Sequence, residues 1–148
     1  MALCHYLAYG KNFGDELGIA VSKKLLEKHY HCNADNVAVI NLESQKRTAG
    51  SKCLFNLGSI FDQIQSHDHV WGTGINPKWM FKWNAKKENR PLNVTFHAVR
   101  GLLTLEKIKS KPLELLSEDE AKTISMGDPG TVLVDLYPEI KWKGDGSY

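Results

Sequence analysis

The sequence predicts an α/β domain, a parallel β-sheet with helices on both faces. Three observations predict it. Strand-like and helix-like segments alternate along the chain, the strand-like runs are short and apolar, and glycine-bearing or charged turns follow several strands directly. Helical crossovers between strands make a sheet parallel and bury both of its faces.

The elements follow in order. Leu3 to Tyr9 is an apolar, aromatic strand closed by Gly10. After the turn Lys11-Asn12-Phe13-Gly14, Asp15 to Tyr30 is a helix, because Leu17, Val21 and Leu25 recur every fourth residue with Ala20 alongside. Asp15 and Glu16 put negative charge in its first turn, where it suits the helix dipole. Asn36 to Asn41 reads as a short, fully buried strand, and Cys53 to Leu57 as another, followed by a helical Ser59 to Ile64. His69-Val70-Trp71 is a strand running into the glycine turn Gly72-Thr73-Gly74. Asn93 to Val99 is the next strand, with Arg100 at its carboxyl end, and Leu102 to Ile108 is a helix. Ser117-Glu118-Asp119-Glu120 is a capping box that opens one more helical turn. Ile124 to Met126 is a brief strand, and Asp128 as N-cap with Pro129 at the first helical position starts another helix before the apolar run Thr131 to Leu136. The Lys- and Asn-rich stretch 77–91 is a surface excursion.

Composition narrows the function. The chain has 148 residues, 42% hydrophobic and 24% charged, which suits one globular domain and excludes a disordered tail, a rod or a disulfide scaffold. Nineteen Lys and Arg against 17 Asp and Glu leave a net charge of +2, too little for a nucleic-acid binder. Only Arg47, Arg90 and Arg100 offer a bidentate guanidinium fork. Cys4, Cys32 and Cys53 form no CxxC pair and read as reduced thiols. With no signal-peptide pattern and no membrane-spanning run, a cytoplasmic protein is expected. His29-Tyr30-His31-Cys32 and His67-Asp68-His69 lack paired metal-ligand spacing, so they read as solvated histidines and no metal site is expected.

In a parallel sheet the working residues collect at the carboxyl ends of the strands. Segments 12–16, 72–74, 100–101 and 127–129 fall there and would line one rim. The turn Gly72-Thr73-Gly74 is not a dinucleotide fingerprint, because the third glycine would fall at Pro77, but such a turn lets a ligand approach the backbone or is simply tight. Asp15, with Glu16 beside it, suits a hydroxyl better than an anion, or else caps the helix. Arg100 suits a carboxylate or phosphate in two-point contact, or a surface salt bridge. Asp128 reads first as an N-cap.

Six stretches in this order resemble the polysaccharide pyruvyl transferase family. They are Asn12-Phe13-Gly14-Asp15-Glu16-Leu17, Leu57-Gly58-Ser59-Ile60, Val70-Trp71-Gly72-Thr73-Gly74-Ile75, Ala98-Val99-Arg100-Gly101, Gly127-Asp128-Pro129-Gly130 and Leu136-Tyr137-Pro138. The resemblance implies a glycosyltransferase-B-like enzyme with two Rossmann-like halves and a cleft between them. Its activity is transfer of the enolpyruvyl carbon of phosphoenolpyruvate onto two sugar hydroxyls, giving a pyruvate ketal on a cell-surface glycan precursor. Phosphoenolpyruvate is the donor substrate, no cofactor is implied, and the acceptor is a sugar or lipid-linked glycan. Carried over residue by residue, Asp15 acts on the acceptor hydroxyls as a general acid/base. Arg100 binds the anionic donor or stabilises the departing phosphate, and Gly72, Thr73 and Gly74 shape the cleft floor. Asn12, Gly14, Glu16, Gly101 and Asp128 complete the implied substrate-binding set.

This chain departs from the family pattern in two ways. Leu102 follows the Arg-Gly pair where proline is common, and no Arg-x-His motif exists downstream of Arg100. The resemblance therefore implies the N-terminal half: a domain over 1–137, the start of a linker over 138–148, and no second domain. Exposed apolar surface beside the rim would then favour self-association or pairing with a second half. The competing expectation is a catalytically silent sugar- or partner-binding domain left by truncation.

Overall fold

The computed structural model describes residues 2–5, 13–48, 50–76, 93–111 and 113–139, with the side chains of His5 and Asp15 left aside. Six strands form one all-parallel sheet: β1 (Ala2–His5), β2 (Val39–Asn41), β3 (Cys53–Phe55), β4 (His69–Trp71), β5 (Thr95–Val99) and β6 (Ser125–Met126). Their order across the sheet is β2-β1-β3-β4-β5-β6. Among the described residues four helices accompany them: α1 (Phe13–Tyr30), α2 (Leu102–Lys109), α3 (Glu118–Thr123) and α4 (Leu133–Leu136). The expected Rossmann-like α/β architecture is therefore present, and the strand order reverses once, between β1 and β3.

Helices cover both faces because strand residues alternate. Cys4, Cys53, Phe55, Val70 and Val99 pack with Leu105 and Ile108 of α2 and Ala121 of α3 in one core. Leu3, on the opposite face of β1, is buried outside that core, where α1 packs and buries Val21. Cys4 and Cys53 are free, buried thiols on neighbouring strands. The Cys53 hydrogen bond and burial push the Cys4 thiol far above its ordinary value, so Cys4 remains neutral.

Several boundaries differ from the expectation for physical reasons. Helix α1 begins two residues early, at Phe13, and the rest of the expected first strand beyond His5 lies outside the described residues. The expected buried strand Asn36 to Asn41 shortens to β2. It lies at the sheet edge and is only half-buried, and Ala34–Asn36 instead form a 3-10 turn capped by the Asn33 side chain. The helical stretch Ser59 to Ile64 contracts to a 3-10 turn, Phe61–Gln63, because Ile64 is already extended. Strand β5 starts at Thr95, since Asn93 has φ +56°. The capping box forms as expected: Ser117 Oγ accepts from Glu120 N, and the Glu120 carboxylate accepts from Ser117 N. Asp128 caps the 3-10 turn Pro129–Val132, which leads into α4. The stretch 77–91 lies outside the described residues.

The expectation of solvated histidines holds only in part at His69, which is half-buried. Its Nδ1 lies 3.0 Å from Nε2 of His97 on the adjacent strand. The ring centroids are 5.2 Å apart with planes 10° apart. The two rings are thus near-parallel and meet through these nitrogens. Burial lowers the pKa of His69 first, then the charges of His97, Lys52 and the α-amino group, while Asp68 opposes them. Native His69 thus holds a proton less readily than the unfolded chain, whose value is the ordinary 6.5. Its contribution to stability is intact above that value and is lost as pH falls below it. Urea unfolding followed from about pH 8 to about pH 5 is expected to show wild type losing stability and His69→Gln a flatter profile; parallel profiles would refute it.

Candidate functional site

The carboxyl ends of the strands form the candidate site. Strand β3 leads through Asn56 into the turn Leu57-Gly58-Ser59. Asn56 is buried, and its amide donates to the Gly18 carbonyl (2.6 Å) and to Ser22 Oγ while its Oδ1 accepts from Leu57 N (2.6 Å). These bonds tie α1 to the end of β3, beside the reversal in strand order. Gly18 permits it, since a Cβ there would lie 2.7 Å from Asn56 Oδ1.

Arg100 follows β5 and reaches back to the turn after β3. Its Nη2 donates to the Gly58 carbonyl at 2.8 Å, and its Nη1 to Ser59 Oγ at 3.2 Å. Its Nε lies 3.5 Å from Asp128 Oδ2. The Gly58 carbonyl also accepts from Thr73 Oγ1 and from Gly74 N, each at 2.9 Å. One carbonyl therefore gathers the ends of β3, β4 and β5. The guanidinium passes over Gly74, where a Cβ would lie 3.1–3.3 Å from Arg100 Cδ, Nε and Cζ.

Gly72 has φ +94°, and a Cβ there would overlap the Pro129 ring. The segment after β6 lies across the rim at this point: Gly127 N bonds the Val99 carbonyl, and Gly130 packs against Leu57 and Leu17. The Pro129–Val132 turn and α4 then pack on α1. The space over Gly72 and Gly74 is thus filled by Pro129 and Arg100, and Thr73 is wholly buried. These residues shape the floor by admitting parts of the chain itself.

No protein-family profile matches the chain, and no curated protein or solved structure does.

The remaining expected residues are spread around this cluster. Asp128 does cap its turn, with Oδ1 accepting from Gly130 N at 2.8 Å, while Oδ2 faces Arg100. Gly101 precedes α2 with open space at its Cβ position, provides no side-chain cap, and leaves a first turn without acidic residues. Gly14 lies in α1, and Glu16 is exposed there. Asp15 also lies in α1, but its side chain and all of Asn12 fall outside the described residues. Of the other arginines, Arg47 is committed to the buried carboxylate of Asp68, and Arg90 lies outside the described residues. Gly58 and Ser59 carry no role in the sequence reading of the site, although they hold the guanidinium. Their signal there is the stretch Leu57-Gly58-Ser59-Ile60, one of the six that carry the resemblance, with its glycine directly after a strand. Among the described residues, no group of three or more His, Cys, Asp or Glu side chains could hold a metal ion, and no helix is long and apolar enough to cross a membrane.

Proposed function

We propose that this chain carries the Rossmann-like N-terminal domain of a polysaccharide pyruvyl transferase, moving the pyruvyl group of phosphoenolpyruvate onto two hydroxyls of a sugar. The observation that carries the reading is Arg100, a guanidinium one-third exposed at the carboxyl rim and held in place by Gly58 and Ser59. The uncapped first turn of α2 beside it adds unpaired backbone N–H groups and a favourable dipole for an anion. In the reaction one hydroxyl proton ends on the donor methylene, which becomes a methyl group, and the other leaves with phosphate. Arg100 neutralises the departing phosphate, and the carboxylate of Asp15 takes the acceptor hydroxyls. The glycan acceptor and a cytoplasmic site of action belong to the same proposal.

A second reading, a silent partner-binding domain, draws on a different observation. Leu102, Leu103 and Met126 are large, exposed apolar side chains around the ends of β5 and β6, and they offer a face for self-association or for a second half.

Titration calorimetry with phosphoenolpyruvate separates the two, followed by phosphate-release assays with sugar diols. Binding that Arg100→Ala weakens by about tenfold or more, the loss expected for a charge-assisted bidentate contact, supports the donor site. Acceptor-dependent phosphate release completes the case. Binding that ignores Arg100→Ala overturns the proposal, and binding without release from any diol favours the silent domain.

A further inference from the structure

We propose that Asp128 is an internal competitor for the anion site at Arg100, setting how tightly the donor or product phosphate is held. The inference rests on the reading that Arg100 takes an anion.

The donors of Arg100 are unevenly used. Nη1 and Nη2 each donate one of their two N–H groups, to Ser59 and Gly58. Nε is buried without a hydrogen-bond partner, because Asp128 Oδ2 at 3.5 Å is close enough for charge attraction but not for a formed hydrogen bond. The remaining donors of the fork for an anionic oxygen are the second N–H groups of Nη1 and Nη2, while the Nε flank faces Asp128. Asp128 stands on that flank and cannot simply leave, since Oδ1 is held by Gly130 N and its backbone carbonyl by Thr131 Oγ1 and Thr131 N. The carboxylate is 40% exposed, so an incoming ligand meets it directly.

A phosphate oxygen that bonds the guanidinium must settle near a fixed negative charge that already offsets it. The repulsion weakens the anion, and when the anion departs the carboxylate again neutralises the guanidinium. The site thus favours turnover of phosphate over its retention.

The charge can be removed without removing the turn. Asparagine and serine are N-caps comparable with aspartate, and either can accept the Gly130 N–H. Inorganic phosphate is the probe, titrated calorimetrically into wild type, Asp128→Asn, Asp128→Ser and Arg100→Ala. Both neutral variants at position 128 are expected to bind phosphate about 3- to 10-fold more tightly than wild type, the size of a unit-charge repulsion near 4 Å at high dielectric. That gain is expected to shrink as salt rises. Equal or weaker binding by both neutral variants, with Arg100→Ala still abolishing it, overturns the competitor and leaves the anion site standing. Phosphate affinity indifferent to Arg100→Ala overturns both.

Discussion

Asp68→Ala is expected to destabilise the protein by about 3–5 kcal/mol, the usual effect of removing one partner from a buried ion pair. Asp68 is fully buried, and both of its oxygens are doubly engaged. Oδ1 accepts from Arg47 Nη2 (2.6 Å) and Cys53 N (2.9 Å), and Oδ2 from Arg47 Nη1 (2.7 Å) and Gln65 N (2.7 Å). Arg47, with its side chain 4% exposed, also donates to the Ser51 carbonyl at 2.9 Å and lies over the Phe55 ring. Truncating Asp68 strands a buried guanidinium and orphans two backbone N–H groups at once. The double variant Arg47→Met/Asp68→Leu is expected to recover part of the loss, because it removes the stranded charge. Urea denaturation measures both. A single variant within about 1 kcal/mol of wild type would show the pair to be dispensable.

Gly72→Ala carries the second large effect, and its two causes can be separated. A φ of +94° disfavours any side chain by about 1–2 kcal/mol. The new Cβ must also displace the Pro129 ring, which is rigid and cannot rotate away. Gly50 provides the control, with φ +77° and nothing near its Cβ position. Gly50→Ala is expected to lose about 1 kcal/mol, from the backbone alone, and Gly72→Ala about 3 kcal/mol or more. Adding Pro129→Ala to Gly72→Ala is expected to return part of the difference. Equal losses at the two glycines would remove the Pro129 contact from the explanation.

Local signals in the sequence were legible where one short segment decides its own structure. The capping box at Ser117 and the Asp128-Pro129 start both rest on residues within one turn. The four-residue spacing of Leu17, Val21 and Leu25 likewise marks α1. What stayed hidden depends on distant partners. The apolar run that ends in β2 reads as fully buried, yet its exposure follows from an edge position that no local pattern encodes. Asp68 lies between two histidines and shows no sign that Arg47 will meet it across the core. At the candidate site, the sequence picks out Arg100, Asp128 and the glycines, but not what those glycines make room for. A glycine marks missing volume, and the ring or guanidinium that fills it comes from another strand.

The segment that returns from β6 to α1 also bears on how the chain acquires its structure. Gly130 meets Leu17, and the Pro129–Val132 turn and α4 complete the packing of α1, so an early helix waits for nearly the last described residues. Contacts so far apart in sequence raise contact order and slow the search for the native state. During synthesis the helix would emerge well before its cover, leaving its apolar stripe open to chaperones or to neighbouring chains until the segment after β6 arrives.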